Sequence, residues 1–255
     1  MSNYEAISKS LHKGKYWKPF SNYEFAAQDS VCPIVALEVP KAVLHLPIAF
    51  TKLEDRLELC AVLGFGAGNS CVVDSAGQWL AGYIPAFYRG DPFALATTQE
   101  DKQTLCIKTD SISDYEGEEI FDDMGEPSDR IQKIIDFLSG IARNAEATHA
   151  ICKVLEKLDL LEPWPIIIRN GESEKTIEGL IRINEEKFNS LTADAFLDLR
   201  EEGALSLIFL QLLSMQNLHK ITQLVKSDET QAVLPEELPF DFSGDHGNIS
   251  FDGLF

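Results

Sequence analysis

The sequence predicts an α+β fold, with a mixed or antiparallel sheet in the N-terminal half packed by long C-terminal helices. Three observations carry that expectation. Short β-type runs punctuated by Pro, Gly and charge fill residues 30–110. A 3.6-residue apolar stripe then runs through residues 128–160. A more apolar helical stretch follows at residues 204–225.

Residues 1–30 read as a polar lead-in with aromatic anchors at Tyr16, Trp17, Phe20, Tyr23 and Phe25. Strand-like runs follow at Ile34 to Glu38, Val43 to Phe50, Leu57 to Gly64 and Ser70 to Val73. The stretch from Cys60 to Phe93 holds six of the sixteen glycines and reads as buried strands joined by tight turns, the centre of the sheet. Within it, Asp74-Ser75-Ala76-Gly77 predicts a hairpin turn, with positive φ at Gly77. Gln103 to Lys108 is a further strand, and Asp110 to Glu126 an acidic surface excursion. Pro127 suits the first turn of a long helix, where its missing N–H costs nothing. The stripe of that helix is Ile131, Ile134, Ile135, Leu138, Ile141, Ala142, Ala145, Cys152 and Leu155, and Glu162-Pro163-Trp164-Pro165 closes it. Ile166 to Arg169 and Lys175 to Ile183 form a second hairpin about Asn170-Gly171. Thr192 caps a short helix to Arg200, with Gly203 near its end, and a largely buried helix occupies 204–225. The expected division is one domain, 1–225 (β-rich 26–110, helix-rich 127–225), followed by an acidic, aromatic tail at 226–255.

Charge narrows the function classes. Against 22 Lys and Arg stand 41 Asp and Glu, a net charge of −19. Such a surface repels nucleic-acid phosphates and anionic lipid, so neither is an expected partner. The five cysteines include no C-x-x-C pair, and the start MSNYEAISKSLHKGKYW lacks the apolar core of a signal peptide. The longest apolar run, Ala204 to Met215, is too short to span a bilayer and carries Ser206, Gln211 and Ser214. A reduced, cytoplasmic protein without membrane insertion is the expectation.

No complete catalytic motif emerges. Gly64-Phe65-Gly66-Ala67-Gly68 is followed by Asn69 where a dinucleotide fingerprint needs glycine, and no Gly-Lys-Ser/Thr follows. Ser70 lacks the closing glycine and the elbow context of a hydrolase nucleophile. The five histidines are scattered; His149 and Cys152 share a helix face, which helix packing explains without a metal. The acids from Asp114 to Glu126 fail the EF-hand register and read as a solvated loop. Neither a metal nor a cofactor is therefore assigned. The best ligand-site candidate is Trp79, Tyr83, Tyr88 and Arg89, a planar cation beside aromatic walls suited to a carboxylate or peptide. The competing reading is a Pro-punctuated turn whose aromatics fill the core while Arg89 pairs with Asp91.

An ordered set of short pieces resembles the bacterial SapC family. It runs through Trp17-x-Pro19, Tyr23-x-Phe25-Ala26, His45-Leu46-Pro47-Ile48-Ala49-Phe50, and Ala61-Val62-Leu63-Gly64 with Asn69. Val73-Asp74, Gly77-x-Trp79, Tyr83-Ile84-Pro85-Ala86, Pro92-Phe93, Glu116-Gly117-Glu118 and Phe121-Asp122 to Gly125-Glu126-Pro127 continue it. Leu161-Glu162-Pro163 and Leu212-Leu213-Ser214-Met215-x-Asn217-Leu218 complete a match over residues 12–225. The resemblance brings no established reaction, cofactor or catalytic residue. It implies an accessory role beside flavin-dependent halogenase-like enzymes or outer-membrane uptake systems. Arg89-Gly90-Asp91 departs from the family pattern, where two adjacent basic residues are common.

Three readings of function follow. The first is a non-enzymatic accessory protein that docks on a protein partner through Phe240, Phe242, Phe251 and Phe255 of the tail. The second is a small-ligand or peptide-binding protein, or an enzyme, using the Trp79–Arg89 pocket. The third is surface-layer assembly, with the tail as an export signal.

Overall fold

The computed structural model describes residues 3–66, 68–97, 103–170, 173–224 and 230–233. In chain order its N-terminal half carries β1 (Tyr4–Ala6), α1 (Lys9–His12), β2 (Tyr16–Trp17), β3 (Val31–Pro33), α2 (Val39–Ala42), β4 (Ile48–Leu53), β5 (Arg56–Val62), α3 (Ala86–Arg89), β6 (Phe93–Thr97), β7 (Gln103–Lys108), β8 (Ile112–Ser113) and β9 (Glu118–Glu119). The rest comprises α4 (Asp129–Lys157), β10 (Leu161–Pro163), β11 (Ile166–Asn170), β12 (Ser173–Ile177), β13 (Leu180–Ile183), α5 (Glu185–Asn189), α6 (Ala193–Glu201), α7 (Ala204–Ser214), α8 (Leu218–Leu224) and β14 (Thr230–Val233).

The fold is α+β, and every strand pairing is antiparallel. The main sheet has the order β10-β13-β4-β5-β3, so two of its five strands come from the C-terminal half. Three smaller sheets, β1-β7-β6, β12-β11-β14 and β8-β2-β9, surround it. Within the expected tail, Thr230–Val233 pairs with the free edge of β11. Phe240, Phe242, Phe251 and Phe255 lie outside the described residues.

Helix α4 is the spine. Its 29 residues span about 44 Å at 1.5 Å per residue, enough to serve two cores. Ser128, rather than Pro127, supplies the cap, accepting from the Ile131 N–H, and Pro127 stands one residue outside. The first turns of α4 cover a small core made by Trp17, Phe93, Leu105, Ile107, Ile120 and Ile131. Its last turns, with Ile151, Cys152 and Leu155, enter the main core against β5. From the other side, α7 packs on β4 and β13. Buried polar side chains of α7 and of the 3-10 turn after it (Met215–Asn217) tie the layers together. Gln211 accepts from Ile183 N–H and donates to the Ile48 carbonyl, Ser214 accepts from Ile48 N–H, and Asn217 donates to the Val43 and Leu46 carbonyls. The expected helix over 204–225 breaks at this point into α7, a 3-10 turn and α8. Thr192 caps α6 as predicted, accepting from Ala195 N–H.

Several strand expectations are corrected. Val31–Pro33 is the strand beside β5, while Ala36–Glu38 is a 3-10 turn leading into α2, where Pro40 fits because a helix start needs no N–H there. Val43 to Leu46 continues as turn, and β4 begins only after Pro47. The stretch from Cys60 to Phe93 is not the sheet centre. Its first three residues lie in β5 and its last, Phe93, opens β6; among the described residues between them the chain is irregular apart from α3 and an isolated Val73–Trp79 bridge. Positive φ at Gly66, Gly68 and Gly77 and the proline at Pro85 interrupt any ladder. The second predicted hairpin is also divided: β12 pairs with β11, whereas Leu180–Ile183 crosses into the main sheet after Gly179.

Candidate functional site

The irregular segment after β5 is a scaffold with few degrees of freedom. A Cβ on Gly64 would stand 1.9 Å from the Asn69 carbonyl oxygen, so only glycine permits this close return of the chain. The Asp74 carboxylate accepts from Ala76 and Gln78 N–H, and Gly77 closes the turn at φ +76. The Trp79 indole N–H donates to the Tyr83 carbonyl at 2.9 Å, folding the next turn back on itself. The chain then enters α3, which carries Phe87, Tyr88 and Arg89.

Glu38 holds this turn to the body of the protein. Although its side chain is only 6% exposed, the carboxylate accepts from Val35 N–H at 3.1 Å, Tyr83 O–H at 2.7 Å and Ala86 N–H at 2.6 Å. Burial, and then the bond to Glu38, pushes the Tyr83 hydroxyl well above its ordinary value, so it stays protonated as a donor. Arg89 Nη2 lies 3.9 Å from the same carboxylate, its Nε donates to the Ile84 carbonyl, and the guanidinium sits 5.2 Å from the Phe137 ring centroid. The expected alternative partner, Asp91, pairs with Lys108 instead. Glu38 was not singled out from the sequence; its signal is a lone acid inside the apolar run from Ile34 to Val43.

Tyr88 points the other way. Its ring is buried, 5.6 Å from Trp79 and 5.9 Å from Phe25, and its hydroxyl donates to Asp29 Oδ2 at 2.8 Å. Burial, the neighbouring Cys32 thiol and Asp29 all push the Tyr88 hydroxyl far up, so it too remains a donor. The aromatic anchors of the lead-in continue this packing, with Phe20 on Tyr23 and Tyr23 on Trp79.

Beyond Tyr88 opens a cleft of about 600 Å³ at the seam between the two cores. One wall is aromatic (Phe25, Phe87, Tyr88, Phe93); the other is aliphatic, from Leu138, Ile141 and Ala142 of α4. These α4 residues are only half-buried, although they belong to the predicted apolar stripe. The charged lining is Asp29, Asp91 and Lys108, with Tyr4 beside them; Lys108 is ion-paired to Asp91 and its ammonium lies 5.0 Å from the Phe25 centroid. Of the four expected site residues, Tyr88 alone lines the cleft. Trp79 buttresses it from behind, and Tyr83 and Arg89 belong to the Glu38 latch.

Other chemistries find little support. All five thiols are pushed up, chiefly by burial, with Cys60 and Cys152 reaching about 12, so none is a thiolate at neutral pH. His149 Nε2 lies 3.1 Å from Glu58 Oε2 while Cys152 is buried in the main core. Among the described residues, no group of three or more His, Cys, Asp or Glu is placed to hold a metal ion. Nor is any helix among them long and apolar enough to cross a membrane.

A protein-family model, that of SapC, matches residues 7–221. The chain belongs to the SapC family. The match takes in both cores, the Glu38 latch and the cleft apart from Tyr4, and it stops before β14. No curated protein and no solved structure matches the chain. The pieces that carried the resemblance have structural work in this SapC-family fold. Gly64 and Asn69 form one close contact, Gly77 and Trp79 shape the turn, Ala86 bonds Glu38, and Ser214 and Asn217 pin the entry to β4.

Proposed function

We propose that this SapC-family protein is a non-enzymatic accessory protein that works by binding a small amphipathic ligand in the cleft beside Tyr88. One observation carries the proposal: the middle of α4 turns Ile141 and Ala142 to an open space, and Leu138, packed at the edge of the smaller core, borders the same space. A helix stripe left uncovered beside a few fixed polar groups has the composition of a ligand pocket. The space of about 600 Å³ falls inside the usual range for such pockets, roughly 300–1,000 Å³. The protonated state of every thiol and of Tyr83 and Tyr88 supports holding a ligand over transforming it by nucleophilic attack. Such a holder would serve an enzyme or uptake system that acts on the ligand.

The test is thermal stabilisation by a broad panel of small amphipathic molecules, since a ligand of the native state raises the melting temperature by mass action. Stabilising compounds are expected, and Ala142→Trp, which fills the cleft, is expected to abolish their effect while leaving the unliganded melting temperature within a few degrees. An empty panel, or an undiminished effect in Ala142→Trp, contradicts the proposal.

A second reading, docking on a protein partner, draws on a different surface. Phe196 of α6 and Phe209 of α7 are 41% and 53% exposed and are bridged by ring contacts to Phe188, with Leu213 exposed one turn further along α7. Exposed apolar strips of this kind mark interaction surfaces.

A further inference from the structure

We infer that the ligand of the cleft is a small alkylammonium ion, with its hydrocarbon chain along α4 and its charged head at Asp29. This rests on the binding role proposed above and goes further by naming the chemical class. Two carboxylates, Asp29 and Asp91, line the cleft against one cation, Lys108. Lys108 is already neutralised, since its ammonium pairs with Asp91 and lies over the Phe25 ring. At Asp29, Oδ2 accepts the Tyr88 hydroxyl, whereas Oδ1 accepts no hydrogen bond among the described residues. The uncompensated charge in the cleft is therefore a carboxylate, and a hydrogen-bond donor carrying positive charge is its natural complement.

The protein already displays the recognition geometry on itself. Lys108 shows an ammonium held between a carboxylate and an aromatic face in this same cleft. The Phe25, Tyr88 and Phe87 rings lie 5.9 and 5.7 Å apart in sequence of contact and offer further π faces beside Asp29. Leu138, Ile141 and Ala142 present hydrocarbon opposite them, which fits an alkyl chain. The net charge of −19 works in the same direction, attracting cations and repelling anions at long range. A carboxylate ligand has no free cation to meet here, because Lys108 is taken.

Hexylamine, hexanol and hexanoate share one chain and differ in the head group, so titrating each into the full-length protein by calorimetry at neutral pH isolates the charge. Hexylamine is expected to bind roughly three- to ten-fold more tightly than hexanol, the gain of one partly desolvated ion pair, with hexanoate weakest. Asp29→Asn keeps an acceptor for Tyr88 and is expected to bring the amine to within about two-fold of the alcohol, both measured on that variant. Equal affinities for amine and alcohol in the native protein, tighter binding of hexanoate, or an amine preference that survives Asp29→Asn each overturns the assignment while hexanol still reports a binding cleft. Binding of none of the three removes the binding role itself, and the ammonium assignment falls with it. The ranking on the unmodified protein decides the matter even where Asp29→Asn folds poorly.

Discussion

Removing the Glu38 side chain leaves three donors at once without an acceptor: the N–H groups of Val35 and Ala86 and the hydroxyl of Tyr83. A buried donor stripped of its partner costs about 1–3 kcal/mol, so Glu38→Ala is expected to destabilise by about 3 kcal/mol or more. Urea denaturation measures this as a lower midpoint, with Glu24→Ala, on an exposed turn, as the reference. A Glu38→Ala loss no larger than the Glu24→Ala loss would show that the latch does not hold the turn. At this scale Tyr88 was legible in the sequence, because an aromatic cluster around Pro85 announces a packed turn. Its partners were not. Asp29 lies 59 residues from Tyr88, and Lys108 lies 17 from Asp91, and in a chain with 41 acids nothing local marks which carboxylate closes onto which donor.

Helix α4 was the clearest element in the sequence, and its 3.6-residue stripe placed the right residues on one face. Periodicity says which face is apolar; it does not say what covers it. Leu155 is fully buried in the main core, whereas Leu138, on the same stripe, borders the cleft. Leu155→Ala is therefore expected to cost about 2–5 kcal/mol, and Leu138→Ala under about 1.5 kcal/mol because its neighbours on one side are already missing. Chemical denaturation of the two variants checks this, and equal losses would place Leu138 in a closed core. The longest misread stretch has a cause in its own glycines. From Cys60 to Phe93, alternating small and apolar residues imitate strands, but the same glycines that suggested hairpin turns hold positive φ or close backbone contacts and prevent a ladder. The β5 and β7 strands, the Asp74–Gly77 turn and the Thr192 cap were legible because each is fixed by residues near in sequence.

Across the whole molecule, the α+β class follows from the order of strand-like and helical segments, and the SapC family from an ordered set of short pieces. What composition does not carry is the seam. Two hydrophobic cores share one helix, and the cleft exists where that helix passes from the first to the second. The seam joins residues from the lead-in, α3, β6, β7 and α4, so no window of the sequence contains it. The most direct measurement is an NMR titration of the full-length, ¹⁵N-labelled protein with hexanol, whose neutral head tests the site without testing the charge preference. Amide shifts are expected to gather at Phe25, Asp29, Tyr88, Lys108, Leu138 and Ala142. Shifts gathered instead on the α6–α7 strip at Phe196, Phe209 and Leu213, or none at saturating hexanol, would overturn the assignment of the cleft as the binding site.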